Sequence, residues 1–160
     1  MNKSLLLKQI IAELEVVHQC AVDAAQRAYE TATDEENEAE NKYDTLGLEA
    51  SYLAHGQSKR VAECEADLIV ISKLKEIDFL PDMPVSIGAL VCIENAERVK
   101  QFVFLSPVAG GLKINFNQIE ITIVTPSSPL GKAISTCLVG DDIEVSMGDN
   151  KKMLQITAVY

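Results

Sequence analysis

From Leu7 to Ala28 the apolar residues Leu7, Ile10, Leu14, Val17, Ala21, Ala24 and Ala28 recur in alternating steps of three and four. That spacing lays a single seam along one helix. A second seam runs through Leu46, Ala50, Leu53, Gln57, Val61, Cys64, Leu68 and Ile71, with one doubled step of four that resembles a stutter. Leu7 with Ile71, Ile10 with Leu68, Leu14 with Cys64, Val17 with Val61, Ala21 with Gln57 and Ala28 with Ala50 all share a midpoint at Ala39. Only Ala24 with Leu53 misses it, by one position. One unbroken helix would have no reason to carry two seams with a common centre. The pattern predicts two helices folded back on each other, with the turn near Ala39.

Each arm, at roughly 28 residues, would be about 40 Å long. The seam thins from Leu and Ile at the base to Ala21, Ala24 and Ala28 towards the turn, which lets the helices approach closely there. Beyond the second arm, Phe79-Leu-Pro-Asp-Met-Pro84 interrupts helix twice and reads as a linker.

The remaining residues change period. Short β-type runs occur at Ala89–Ile93, Gln101–Leu105, Ile119–Val124, Asp142–Ser146 and Met153–Val159, separated by turn residues. Ala109-Gly-Gly-Leu-Lys113 reads as a turn, and Met147-Gly-Asp-Asn-Lys151 as a hairpin turn. Ser128 followed by Pro129 is an N-cap with proline at the first helical position, opening one short helix that extends to roughly Cys137. The fold class expected is α+β: an antiparallel helical hairpin over residues 1–78, then a small antiparallel β unit with one helix over residues 79–160.

Charge narrows the function. The formal net charge of -10 argues against a nucleic-acid binder held by phosphate neutralisation, which needs a basic stripe. The N-terminal apolar run is interrupted by Lys8 and Glu13, no small-residue cleavage site follows it, and no stretch approaches a membrane span, so the expected location is cytoplasmic. Cys20, Cys64, Cys92 and Cys137 are widely spaced without a C-x-x-C pair, which suggests reduced thiols at apolar positions. His18 and His55 do not share the Ala39 midpoint and are not expected to form a metal site. Nucleotide-binding loops, nucleophile elbows and zinc-peptidase helices have no counterpart in the sequence.

The expected turn carries Asp34, Glu35, Glu36, Glu38, Glu40 and Asp44, offset only by Lys42. A charge run of this kind is usually a solvated helix end. At the point of a long lever, however, nothing nearby needs solubilising, and a cluster that presents itself to something cationic becomes the sharper reading. Carboxylates suit Mg²⁺, which prefers one or two of them together with phosphate oxygens and water. Such a tip encloses no site of its own, but beside an existing metal and a phosphodiester it would complete a two-metal arrangement.

The run Ile121-Thr-Ile-Val-Thr-Pro-Ser-Ser-Pro-Leu-Gly-Lys-Ala133, followed by Val139-Gly-Asp-Asp-Ile-Glu-Val145, resembles the C-terminal domain of the bacterial Gre transcript-cleavage factors. Ile87-Gly-Ala-Leu-Val91 is similar to the strand that opens that domain, and Arg60-Val-Ala-Glu-Cys-Glu-Ala-Asp-Leu68 to the second arm of the Gre hairpin. The resemblance implies an FKBP-like C-terminal domain docking on RNA polymerase, with Ser128, Pro129, Leu130, Gly131 and Lys132 as partner-binding residues. It also implies a hairpin that enters the polymerase's secondary channel, where tip carboxylates help to hold the second Mg²⁺ and cleave backtracked RNA. The factor would be a monomer and no enzyme by itself. It would have no cofactor of its own beyond a magnesium ion shared with the polymerase.

The tip departs from the family pattern. Gre factors carry Asp-x-x-Glu-Asn-Ala-Glu-Tyr, whereas this chain has Glu36-Asn-Glu-Ala-Glu40. Alignment without gaps from Arg60 places the family's Asp at Glu40 and its Glu at Tyr43, beside Asp44. Glu40 and Asp44 are therefore the expected catalytic and metal-sharing carboxylates, with Asp34, Glu36 and Glu38 as secondary candidates. A non-cleaving regulator that blocks the channel is the alternative within this class. A prolyl isomerase or chaperone is the alternative outside it, and would need an apolar, aromatic-lined pocket.

Overall fold

The computed structural model describes residues 2–34, 45–80, 82–148 and 150–160. Its contacts separate into two compact units, Ile11–Ile69 and Met1–Ile10 with Val70–Tyr160. Two long helices, α1 (Lys3–Thr33) and α2 (Leu46–Ser72), run through both.

Within the unit Ile11–Ile69 the buried apolar side chains are Leu14, Ala21 and Ala28 of α1 with Ala50 and Cys64 of α2, all of them seam positions. His18 of α1 lies 3.5 Å from Glu65 of α2, while Ala24 and Ala28 border one groove with Ala50, Leu53 and Gln57. Numbers that rise along α1 meet numbers that fall along α2, so the arms are antiparallel, as the shared midpoint predicts. Leu53 is the exception to seam burial, at 55% exposed. The α1 residues that border the same groove are Ala24, Arg27, Ala28 and Thr31, and none of them is a large apolar side chain that would cover a leucine. Cys20 is exposed as well, so only Cys64 and Cys92 are fully buried thiols, with Cys137 half-buried. The expected turn at Ala39 lies outside the described residues.

The other unit is built on one six-stranded sheet. Its strands are β1 (Leu90–Asn95), β2 (Lys100–Leu105), β3 (Lys113–Phe116), β4 (Ile119–Val124), β5 (Asp142–Met147) and β6 (Asn150–Val159), in the order β3-β4-β2-β1-β6-β5. One face gathers Val91, Ile93, Val103, Leu105, Val124, Ile143, Val145 and Ile156 with Ile134 of the short helix α3 (Pro129–Ile134) into the core. Leu90, Phe104, Ile121 and Ile123, alternate in sequence with those residues, are also fully buried, as are Leu6, Ile10 and Ile71 of the same unit.

Four features differ from the sequence reading. Strand β3 was not expected, because its four residues are hemmed in by Gly110-Gly111 and Asn117-Gln118. Its signature is the alternation of exposed Lys113 and Asn115 with buried Ile114 and Phe116. Asn117 and Gln118 both adopt positive φ, 51° and 65°, which suits a two-residue hairpin turn between β3 and β4. Because β4 returns inside β3, it pairs in parallel with β2, and the sheet is not wholly antiparallel. Helix α3 ends at Ile134 rather than near Cys137, since Thr136 turns to φ 67° and donates its amide to Val85 at 2.9 Å. Finally, α2 stops at Ser72, and no helix or strand occupies residues 73–80 and 82–89.

Candidate functional site

The segment that joins α3 to the sheet is closed by one hydroxyl. Ser128 Oγ accepts from the Gly131 amide at 3.0 Å, the N-cap bond expected from the sequence, and donates to the Thr125 carbonyl at 2.7 Å. That carbonyl also accepts from the Ser128 amide at 2.9 Å. Pro129 follows at the first helical turn, where its missing N–H costs nothing. Position 131 must be glycine, because a Cβ there would sit 1.9 Å from the Thr125 oxygen.

This turn forms one wall of a cleft of about 610 Å³. Ser128, Pro129 and Leu130 line it, whereas Gly131 is buried behind the turn and Lys132 is exposed. Of the five expected partner-binding residues the fold thus brings three together. The opposite wall is the core-facing side of the sheet near its end, where Val145 and Leu154 give way to Asn95, Gln101, Thr122 and Lys152. Sequence reading passed over these polar residues. The signal was present, since Asn95 continues the alternation Val91, Ile93 and Gln101 precedes Val103, Leu105 in the same period of two. Among the described residues no aromatic side chain lines the cleft, whereas the pocket expected of a prolyl isomerase is aromatic-lined.

Within the unit Ile11–Ile69, α1 closes at Thr33 and the exposed Asp34 follows it. α2 opens after Thr45, whose hydroxyl donates to the Glu49 carboxylate at 2.8 Å. Glu49 in the first turn of α2 suits the positive end of that helix dipole. Asp34 does the opposite, because it sits beyond the negative end of α1, whose last turn carries no basic residue. The acidic run is therefore not explained by helix stabilisation at its start. Glu35, Glu36, Glu38, Glu40 and Asp44 lie outside the described residues, so neither expected catalytic carboxylate is located. Among the described residues no group of three or more His, Cys, Asp or Glu side chains is placed to hold a metal ion. No helix among them is long and apolar enough to cross a membrane.

Comparison with known proteins gives one correspondence along most of the chain. It is 26% identical over 148 residues to the transcription elongation factor GreA of Syntrophus aciditrophicus (strain SB), covering 92% of this chain and 86% of that protein. Among solved structures, the GreA factor homolog 1 (Gfh1) protein of Thermus thermophilus is similar with a TM-score of 0.40 and 17% identity, over 94% of each chain. Thermus aquaticus Gfh1 is similar with a TM-score of 0.40 and 17% identity, over 92% of this chain and 91% of that one. No family model matches.

Proposed function

Because the chain is a divergent member of the Gre family of transcription elongation factors, we propose that it docks on RNA polymerase and inserts the acidic end of its helical hairpin into the secondary channel. There it stimulates cleavage of backtracked RNA. The observation that carries this reading is the length of the correspondence with GreA, 148 residues, which takes in both the long helices and the β-rich unit. Docking falls to the β-rich unit and its Ser128–Leu130 turn, which lies in the run Ile121–Ala133 that resembles the Gre C-terminal domain.

The chemistry belongs to the polymerase, and this chain is an accessory factor. Glu40 and Asp44 would supply hard oxygen ligands to a magnesium ion in the polymerase's own site and help to orient an attacking water. The departure of Glu36–Glu40 from the family's tip sequence favours a second reading, in which the same insertion blocks the channel without cleavage.

Incubation with a stalled, backtracked elongation complex and Mg²⁺ separates the two. Shortened RNA, released only when the factor is present, supports the cleaving role. Binding without shortening at any magnesium concentration supports the blocking role, and absence of binding defeats both.

A further inference from the structure

We infer that the cleft beside α3 binds a small amphipathic monocarboxylate, its apolar body on Val145, Leu154 and Leu130 and its carboxylate at Lys152 and Asn95. The cavity, at about 610 Å³, falls in the range of small-ligand sites. Its lining divides by chemistry: the core-facing side of the sheet is aliphatic at Val124, Val145 and Leu154, then turns polar at Asn95, Gln101 and Lys152.

Charge selects the ligand's sign. In a chain of net charge -10, no carboxylate among the described residues lines this cleft, and Lys152 is the only ionisable lining residue among them. The neighbouring Lys151, one residue away and so on the opposite face of β6, is taken up by Glu144 at 2.8 Å. Lys152 lies across from Val145 on the core-facing side and has no ion pair among the described residues. Asn95 contributes a donor rather than an acceptor. Its Oδ1 is occupied by the amides of Glu97 at 3.0 Å and Val99 at 2.8 Å, which leaves the side-chain NH2 group to bond outward. An ammonium and an amide NH2 above an aliphatic floor fit an acceptor-only head group on an apolar chain.

The test is a titration of the isotope-labelled full-length chain with decanoate, 1-decanol and decylamine, each below its aggregation limit, followed by amide shifts. We expect saturable changes confined to Asn95, Gln101, Thr122, Leu154 and their neighbours, with decanoate the tightest of the three. Lys152 is exposed, so Lys152→Met leaves folding intact and weakens decanoate roughly fivefold, the upper range for an exposed ion pair. The same substitution leaves 1-decanol unchanged. Equal affinity for decanoate and decanol, shifts scattered away from the cleft, or no saturable change would each overturn the inference. The titration needs no polymerase, so its failure leaves the proposed role in transcription untouched.

Discussion

At the scale of single residues, the turn before α3 concentrates the strictest requirements of the β-rich unit. Ser128→Ala removes the N-cap bond to Gly131 and the bond to Thr125, and should cost about 1 kcal/mol of stability. Gly131→Ala drives a methyl into the Thr125 carbonyl and should cost more, about 2–4 kcal/mol. Urea denaturation of the two variants checks the order, and a Gly131→Ala protein as stable as the parent would contradict the geometry. Lys3 makes a different demand. Its ammonium is buried 4.2 Å from the Phe79 ring centre and donates to the Ile77 carbonyl. Burial lowers its pKa from 10.5 to about 8, against a smaller opposing pull from Asp78. Between these two values the folded chain has lost a proton that the unfolded chain keeps, so this group makes stability rise with pH from about 8 to 10.5. Below that window its burial cost is present in full. Relative to Lys3→Met, the parent protein should therefore gain about 1 kcal/mol between pH 7 and pH 10. That is less than the whole shift would give, because water reaches part of the side chain. Thermal melts of both proteins across that range would reveal it, and parallel curves would exclude it.

At the scale of elements, the hairpin shows how a sequence marks a lever. Alanines at 21, 28 and 50 are buried on the seam, so the arms approach closely without bulky side chains between them. The acidic run begins at Asp34, just past the C-terminal end of α1, so the α1 dipole does not account for negative charge there. Replacing Glu40 with Gln and Asp44 with Asn together should leave polymerase binding intact while lowering cleavage at least tenfold. The basis is that removing one well-placed charge-stabilising group in a water-excluded site costs about 2–4 kcal/mol. Asp34→Asn should matter less. Binding assays run beside the backtracked-RNA assay distinguish the outcomes: a cleaving parent whose double variant cleaves equally well would move the role to other carboxylates of the run.

At the scale of the whole molecule, the α+β architecture was legible because each half declares its period. Six of the seven seam positions from Leu7 to Ala28, matched about Ala39 by positions from Ala50 to Ile71, specify an antiparallel hairpin. A 3.5-residue repeat keeps one stripe facing a partner helix whatever else the chain does. Ser128-Pro129 likewise announced its own helix start, since a cap is a local bond between residues three apart. Strand β3 and the parallel pairing of β2 with β4 were not legible. Four residues carry too little alternation to stand out, and which strand lies beside which depends on contacts between residues distant in sequence. Nor did the sequence reveal that Leu53 would be left exposed, because that depends on the size of what stands across the seam. The cleft belongs to the same class. Asn95, Gln101, Thr122 and Lys152 come from four strands, and only the order β4-β2-β1-β6 sets them on one face opposite Leu130. The sequence by itself determined the periods, the caps and the position of the charge; tertiary structure decided the neighbours, because strand order and side-chain cover are properties of the packed chain rather than of any local run.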